Sequence, residues 1–303
     1  MPDPARAYAP LAHYKRGSML ANQATPGIAG LDHAVIAVRD LDEARDTYAR
    51  MGFTLAPRGL HSTGSANHNI MLAHDYFELL MVPRPNPMQA YFYEFARAGE
   101  GLAALALTGT DARASMVALR EKGFEPAEPL ALSRPITEGS KTGTARFRIT
   151  NLDPRTTPGA QVFLCQHETR ELVWLPELQE HANGATGIAA VAFIADNVAH
   201  QAGIYAKLLG TWPQRIPEGM KLATGPGAAE IAVSTRQALQ ERLAGAELPF
   251  RERPYLAALF IRVKDRQLAF QALRAGNFDP RRMSDGSWAI DASEAHGVTV
   301  VFG

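Results

Sequence analysis

Apolar residues recur along the chain in runs too short for helices and too pure for a surface. "LDHAVIAV", "GLAALALT", "GIAAVAFIA" and "YLAALFIRV" each have the length of a buried strand. Each run leads into a stretch with apolar positions three and four residues apart. In the first stretch Leu41, Ala44, Tyr48 and Met51 make one stripe. A glycine then closes each stretch, at Gly52, Gly123, Gly210 and Gly276, and Pro57, Pro126, Pro213 and Pro280 follow. This pattern predicts a strand and then a helix. An aspartate opens the helix (Asp40 or Asp42, Asp111, Asp196, Asp265) and a left-handed glycine ends it. Behind each glycine lie three short alternating stretches, such as "TLAPRGL", "NHNIMLA" and "YFELLMV", which read as further strands. The chain is therefore one βαβββ unit written four times.

A sheet of three or four strands cannot cover both its faces, so such modules pack in pairs. The expected fold is α+β: four βαβββ modules paired into two curved mixed sheets with helices outside. The expected domains are an N-terminal extension at 1–27, a first module pair at 28–183 and a second at 184–303. The extension is rich in Ala and Pro and shows no period.

Composition narrows the function classes. With 31 basic and 31 acidic side chains and no basic stripe, nucleic acid and anionic membranes are poor partners. The N-terminus lacks the apolar core of a secretory leader. No run approaches the ~18 apolar residues of a membrane span. The single cysteine, Cys165, excludes an intramolecular disulfide and a zinc ribbon, and it fits a cytoplasmic location. "ATGPGAAE" lacks the spacing and lysine of a phosphate loop, and no nucleophile elbow is present.

Two residues interrupt the apolar strands of the first module. His33 puts an imidazole inside "LDHAVIAV", where a hydrogen-bonded core histidine is the commoner role. Glu78 lies between Phe77 and Leu79 in "YFELL". A buried carboxylate costs several kcal/mol unless it is paired or metal-bound. His167 ends "FLCQH" in the second module. Strand alternation groups His33 with Leu31, Val35 and Ala37. It groups Glu78 with Tyr76, Leu80 and Val82, and His167 with Phe163 and Cys165. All three can thus face one side. The polar loop "HSTGSANHN" suits a turn, and its Asn67 and His68 lead into a strand expected to line the cavity. Asn67, His68, Gln166 and Trp174 are the candidate substrate contacts. His181 and Asn183 either cap the pocket or order a linker. Arg146 and Arg148 share one strand face, read first as solvated and second as an anion site.

With "LDHAVIAV" opening the first module, "GSANHNIML…YFELL" closing it and "FLCQHETRELVW…HANGA" ending the second, residues 28–303 resemble the vicinal oxygen chelate superfamily. The likeness is to its glyoxalase-like domain proteins. It implies a divalent metal (Zn, Mn, Fe, Co or Ni) held by the first and last strands of paired modules. Carried over, the ligands are His33, Glu78 and His167, with Glu78 also a candidate base. Aligning "GLAALAL" on "GLDHAVI" puts Ala104 opposite His33, so the second module's opening strand supplies no donor. Two imidazoles and a carboxylate leave coordination positions open for a chelating substrate. The implied activity is that of a metal-dependent lyase or isomerase on a small vicinal-oxygen or carbonyl compound. An extradiol-type dioxygenase and a non-catalytic binding or resistance protein are the alternatives. Dioxygenases of the superfamily place their site in the later pair. Here that pair offers Ala190 and Leu256 to Ala258 in its opening strands, and no second metal is expected. The expected partner is a small molecule, with a homodimer as a further possibility.

Overall fold

The computed structural model of the chain describes residues 24–138 and 141–303. The expected N-terminal extension lies outside them apart from residues 24–27. The first module comprises β1 (Ile28–Ala37), α1 (Leu41–Arg50), β2 (Gly59–Leu60), β3 (Ala66–Met71) and β4 (Tyr76–Met81). A linking helix, α2 (Ala90–Ala98), leads to β5 (Gly101–Gly109), α3 (Ala112–Glu121), β6 (Leu130–Glu138), β7 (Lys141–Asn151) and β8 (Gln161–His167). The third module has β9 (Ala185–Ile194), α4 (Val198–Leu209), β10 (Gln214–Ile216), β11 (Gly219–Ala223) and β12 (Glu230–Ser234). After α5 (Arg236–Arg242) come β13 (Tyr255–Val263), α6 (Arg266–Ala275), β14 (Arg281–Arg282), β15 (Trp288–Ile290) and β16 (Thr299–Phe302).

The fold is α+β, and its two eight-stranded sheets repeat one topology. Their orders are β2-β3-β4-β1-β5-β8-β7-β6 and β10-β11-β12-β9-β13-β16-β15-β14. Within the first module β1 and β4 run parallel, and β1 joins the second module through antiparallel β5. A single apolar core crosses both sheets, from Ile36, Tyr48 and Phe77 to Phe193, Tyr205 and Phe302. The repeat predicts one helix per module. The two additional helices, α2 and α5, occupy the links between modules.

Local chemistry follows the predicted pattern with two exceptions. Asp40 and Asp111 each accept two backbone N–H groups, and Asp265 accepts one. At α4 the cap is Asn197 rather than Asp196; its side chain accepts from His200 N. Gly52, Gly123 and Gly210 have positive φ, but Gly276 does not, and Asn277 takes the left-handed position instead. Gly276 is small for another reason: a Cβ there would lie 1.9 Å from Arg50 O. The glycine lets the end of α6 pack against the end of α1. No helix among the described residues is long and apolar enough to cross a membrane.

The two concave faces differ. In the second sheet Leu239 of α5, with Leu243, Ala246 and Leu248 after it, packs on Ala192, Ala258 and Val301 and fills the space. In the first sheet a cavity of about 300 Å³ stays open.

Candidate functional site

The open cavity takes its polar end from β1, β3 and β4. The pairing of β1 with β5 steps from Leu31↔Leu107 to His33↔Ala106, so Asp32 is the extra residue of a β-bulge. The bulge breaks the simple alternation expected from sequence. Leu31 joins Ala34 and Ile36 in the main core, whereas His33 and Val35 line the cavity. Asp32 is fully buried behind His33. Parallel pairing places Val35 beside Glu78, and antiparallel pairing places Asn67 beside Leu80 and Asn69 beside Glu78.

Hydrogen bonds fix these side chains in chemically useful poses. His33 Nδ1–H donates to Asp32 Oδ1 at 2.7 Å, which leaves Nε2 facing the cavity. Tyr76 stacks on the same ring at 4.3 Å, and Phe163 meets it edge-on. Asn67 Nδ2 donates to Glu78 Oε1 at 2.6 Å and to Asn69 Oδ1 at 3.1 Å. Glu78 Oε2 then lies 4.0 Å from His33 Nε2, and neither atom has a hydrogen bond among the described residues. His61, from the β2–β3 loop, places Nε2 4.0 Å from Glu78 Oε1. A Cβ at Gly59 would lie 2.2 Å from Asn67 Oδ1, so a larger residue there would displace the Asn67 amide. The walls are apolar: Val35, Leu80, Phe92, Phe147, Ile149 and Phe163. Arg134, itself buried, also lines the cavity.

Burial alone would raise the Asp32 carboxyl, but hydrogen bonds from His167 and His33 outweigh it and hold the group well below the usual range. His167 Nε2–H donates to the same Asp32 oxygen at 3.1 Å. His167 therefore reaches His33 through Asp32, and its Nδ1 is buried without a partner. Burial pushes the Cys165 thiol up and the His61 imidazole down.

Two donor groups bear on metal binding. Asp32, His33 and Cys165 bring ligand atoms within 4.8 Å of one another. However, Asp32 Oδ1 and His33 Nδ1 sit at hydrogen-bond distance, closer than the about 3 Å between two donors on one metal with bonds of about 2.1 Å. This trio is a hydrogen-bonded support behind His33. The pair facing the cavity, His33 Nε2 and Glu78 Oε2, fits a metal better. Both atoms are free, and the imidazole is backed by a carboxylate, the usual support of a ligating histidine.

The other expected site residues scatter. Asn67 is at the cavity. His68 is not, because the alternation that turns Asn67 and Asn69 inward turns it outward. There its Nδ1–H donates to Ala56 O. Gln166 lies on the far face of β8 and accepts from Ala112 N at the start of α3. Trp174 donates to Leu72 O and packs against His167 and Tyr76, behind the cavity wall. His181 accepts from Thr54 N and donates to Met71 O, and Asn183 Nδ2 donates to Met51 O. Both order the segment between the pairs. Arg146 is exposed and Arg148 half-buried, both beside Glu168. Sequence reasoning passed over Asp32, Asn69 and His61. "NHN" carried a usable signal for Asn69, since alternate polar residues in a strand share a face.

The glyoxalase-like domain family matches residues 31–209, which span the first two modules with β9 and α4. No curated protein sequence matches the chain. A hypothetical protein from Staphylococcus aureus has a similar structure, with a TM-score of 0.65 at 13% identity over 90% of this chain and 98% of that one. A mutant of 4-hydroxymandelate synthase from Streptomyces coelicolor gives 0.59 at 11% identity, over 91% and 92%. A xylose isomerase-like TIM barrel/4-hydroxyphenylpyruvate dioxygenase fusion protein gives 0.55 at 15% identity; the match covers 92% of this chain but 50% of the fusion. At such identities the likeness establishes the fold.

Proposed function

Since the chain belongs to the glyoxalase-like domain family, within the vicinal oxygen chelate superfamily, we propose that it is a metal-dependent enzyme of the lyase or isomerase kind. Its substrate is a small molecule with an oxygen-bearing head and an apolar body. The observation that carries this reading is the pair of free donors, His33 Nε2 and Glu78 Oε2, 4.0 Å apart at the polar end of a cavity with mainly apolar walls. A divalent metal held by His33 and Glu78 would act as a Lewis acid toward negative charge developing on a substrate oxygen.

The chain's own residues set the rest. Asp32 fixes the His33 tautomer, with the proton on Nδ1. Asn67 anchors Oε1 of Glu78 and turns Oε2 to the cavity; where that oxygen is not holding the metal, Glu78 is the group placed to take a proton. Phe163, Phe147 and Val35 exclude water from the head of the substrate, which strengthens every charge interaction there. The volume of about 300 Å³ is at the small end of ligand pockets and limits the substrate accordingly.

Metal content of protein purified without chelator tests the reading. The wild type should carry metal that His33→Ala and Glu78→Gln lose. Equal, near-zero metal in all three would refute it. A second reading, ligand binding without chemistry, draws support from the second module. The registers Val35↔Glu78 and Ala106↔Phe163 make Phe163 the counterpart of Glu78, and Ala104 is the counterpart of His33. Both donors of module one are thus apolar in module two. Undiminished ligand binding by a His33→Ala, Glu78→Gln double variant would favour this second reading.

A further inference from the structure

We propose that His61, and not His167, is the third protein donor of the cation site; this rests on the metal reading above. Three observations converge. His61 Nε2 lies 4.0 Å from Glu78 Oε1, the same separation that His33 Nε2 keeps from Glu78 Oε2. The two imidazoles therefore flank one carboxylate, each beside a different oxygen. His61 is also tied back as His33 is: its Nδ1 lies 2.8 Å from Ser65 Oγ, which leaves Nε2 toward the cavity. Backbone bonds His61 N–H to Ser65 O and Gly64 N–H to His61 O close the loop that carries it.

His167 lacks these properties. Its Nε2–H donates to Asp32 Oδ1 at 3.1 Å, and its Nδ1 is enclosed without a partner among Tyr76, Phe147 and Trp174. It does not line the cavity. To ligate beside Glu78 it would have to leave Asp32, which would then lose one of the two imidazoles that compensate a fully buried carboxylate. His61 must move inward to join them, since two donors on one metal stand about 3 Å apart and the donor atoms of His33, Glu78 and His61 do not all lie within 4.8 Å of one another. It comes from the β2–β3 loop, so the first module alone supplies two imidazoles and a carboxylate. This accounts for the apolar residues Ala104 and Phe163 at the equivalent places in the second module: the ligand set is complete without them.

Cobalt(II) titration of the full-length apoprotein, followed by calorimetry and ligand-field absorption, tests the assignment. His61→Ala should weaken cobalt binding at least about 100-fold and change the visible spectrum. Ser65→Ala, which only frees His61 Nδ1, should cost about 10-fold. His167→Ala should keep the wild-type spectrum. If His61→Ala binds cobalt as the wild type does, or if His167→Ala alone alters the spectrum, the assignment is wrong. The metal reading survives either result as long as His33→Ala and Glu78→Gln lose cobalt. A wild type that binds no cobalt overturns both.

Discussion

Asp75 offers a quantitative test of how the two halves are joined. It sits in the β3–β4 turn, 4% exposed, and accepts Ile188 N–H of β9 at 2.9 Å. Burial raises its carboxyl from 3.8 to about 6; the Ile188 bond and nearby Arg262 pull down, and Asp32 pushes up. The folded state therefore holds the Asp75 proton more tightly than the unfolded chain does. Stability from this group is full below pH 3.8 and is lost as the pH rises through about 6. The loss at neutral pH is about 3 kcal/mol. Asp75→Asn keeps the acceptor for Ile188 and removes the charge. Its new amide N–H groups need partners, which costs about 1–3 kcal/mol at every pH. The test is therefore the slope and not the offset. Between pH 4 and pH 8 the melting temperature of Asp75→Asn should gain about 5 °C on that of the wild type. Asp32 titrates below this window and is common to both proteins, so it cancels. Parallel melting curves across the range would refute the reasoning.

Gly276→Ala should destabilise by about 1–3 kcal/mol, because its Cβ would strike Arg50 O and force α1 and α6 apart; an unchanged melting temperature would contradict this. Asn197→Ala should cost about 1 kcal/mol through loss of the α4 cap, whereas Asp196→Ala, at an exposed ion pair, should cost less than half as much. Equal losses in denaturant melts would return the cap to Asp196. Cys165 is buried with its thiol pushed up, so Ellman's reagent should leave it untouched in native protein at pH 8 and titrate it after unfolding. Rapid native labelling would show the cavity to be more open than described.

The modules were legible because their apolar periods and turn residues agree, and each predicted strand–helix start appears in the fold. His33 and Glu78 were legible as polar residues in apolar strands, and the structure sets them side by side. The remainder depended on geometry that period counting does not carry. One bulged residue, Asp32, reverses the face of Leu31 and puts a carboxylate behind His33. Neighbours in a strand part company, so Asn67 reaches the cavity while His68 faces away. Gln166 likewise caps α3, because it precedes His167 by one place. The helices α2 and α5 escaped notice because the repeated unit has no slot for them.

The same two links explain why two sheets of one topology yield one cavity. In the second pair, the residues after α5 pack Leu243, Ala246 and Leu248 into the concave face. In the first, α2 contributes Phe92 to a wall and leaves the centre open. The filled half then braces the open one. Ile188 N–H bonds Asp75 at the turn before β4, and in the linking segment Asn183 bonds Met51 O and His181 bridges Thr54 N and Met71 O. Every one of these bonds grips α1, β3, β4 or their connections, the elements that carry Asn67 and Glu78. A constellation that works at tenths of an ångström needs its supporting strands held from outside. The second pair, with His181 and Asn183 before it, supplies that hold without lining the cavity, so substitutions at Asp75, His181 or Asn183 should act on β3, β4 and the end of α1 rather than on the cavity lining.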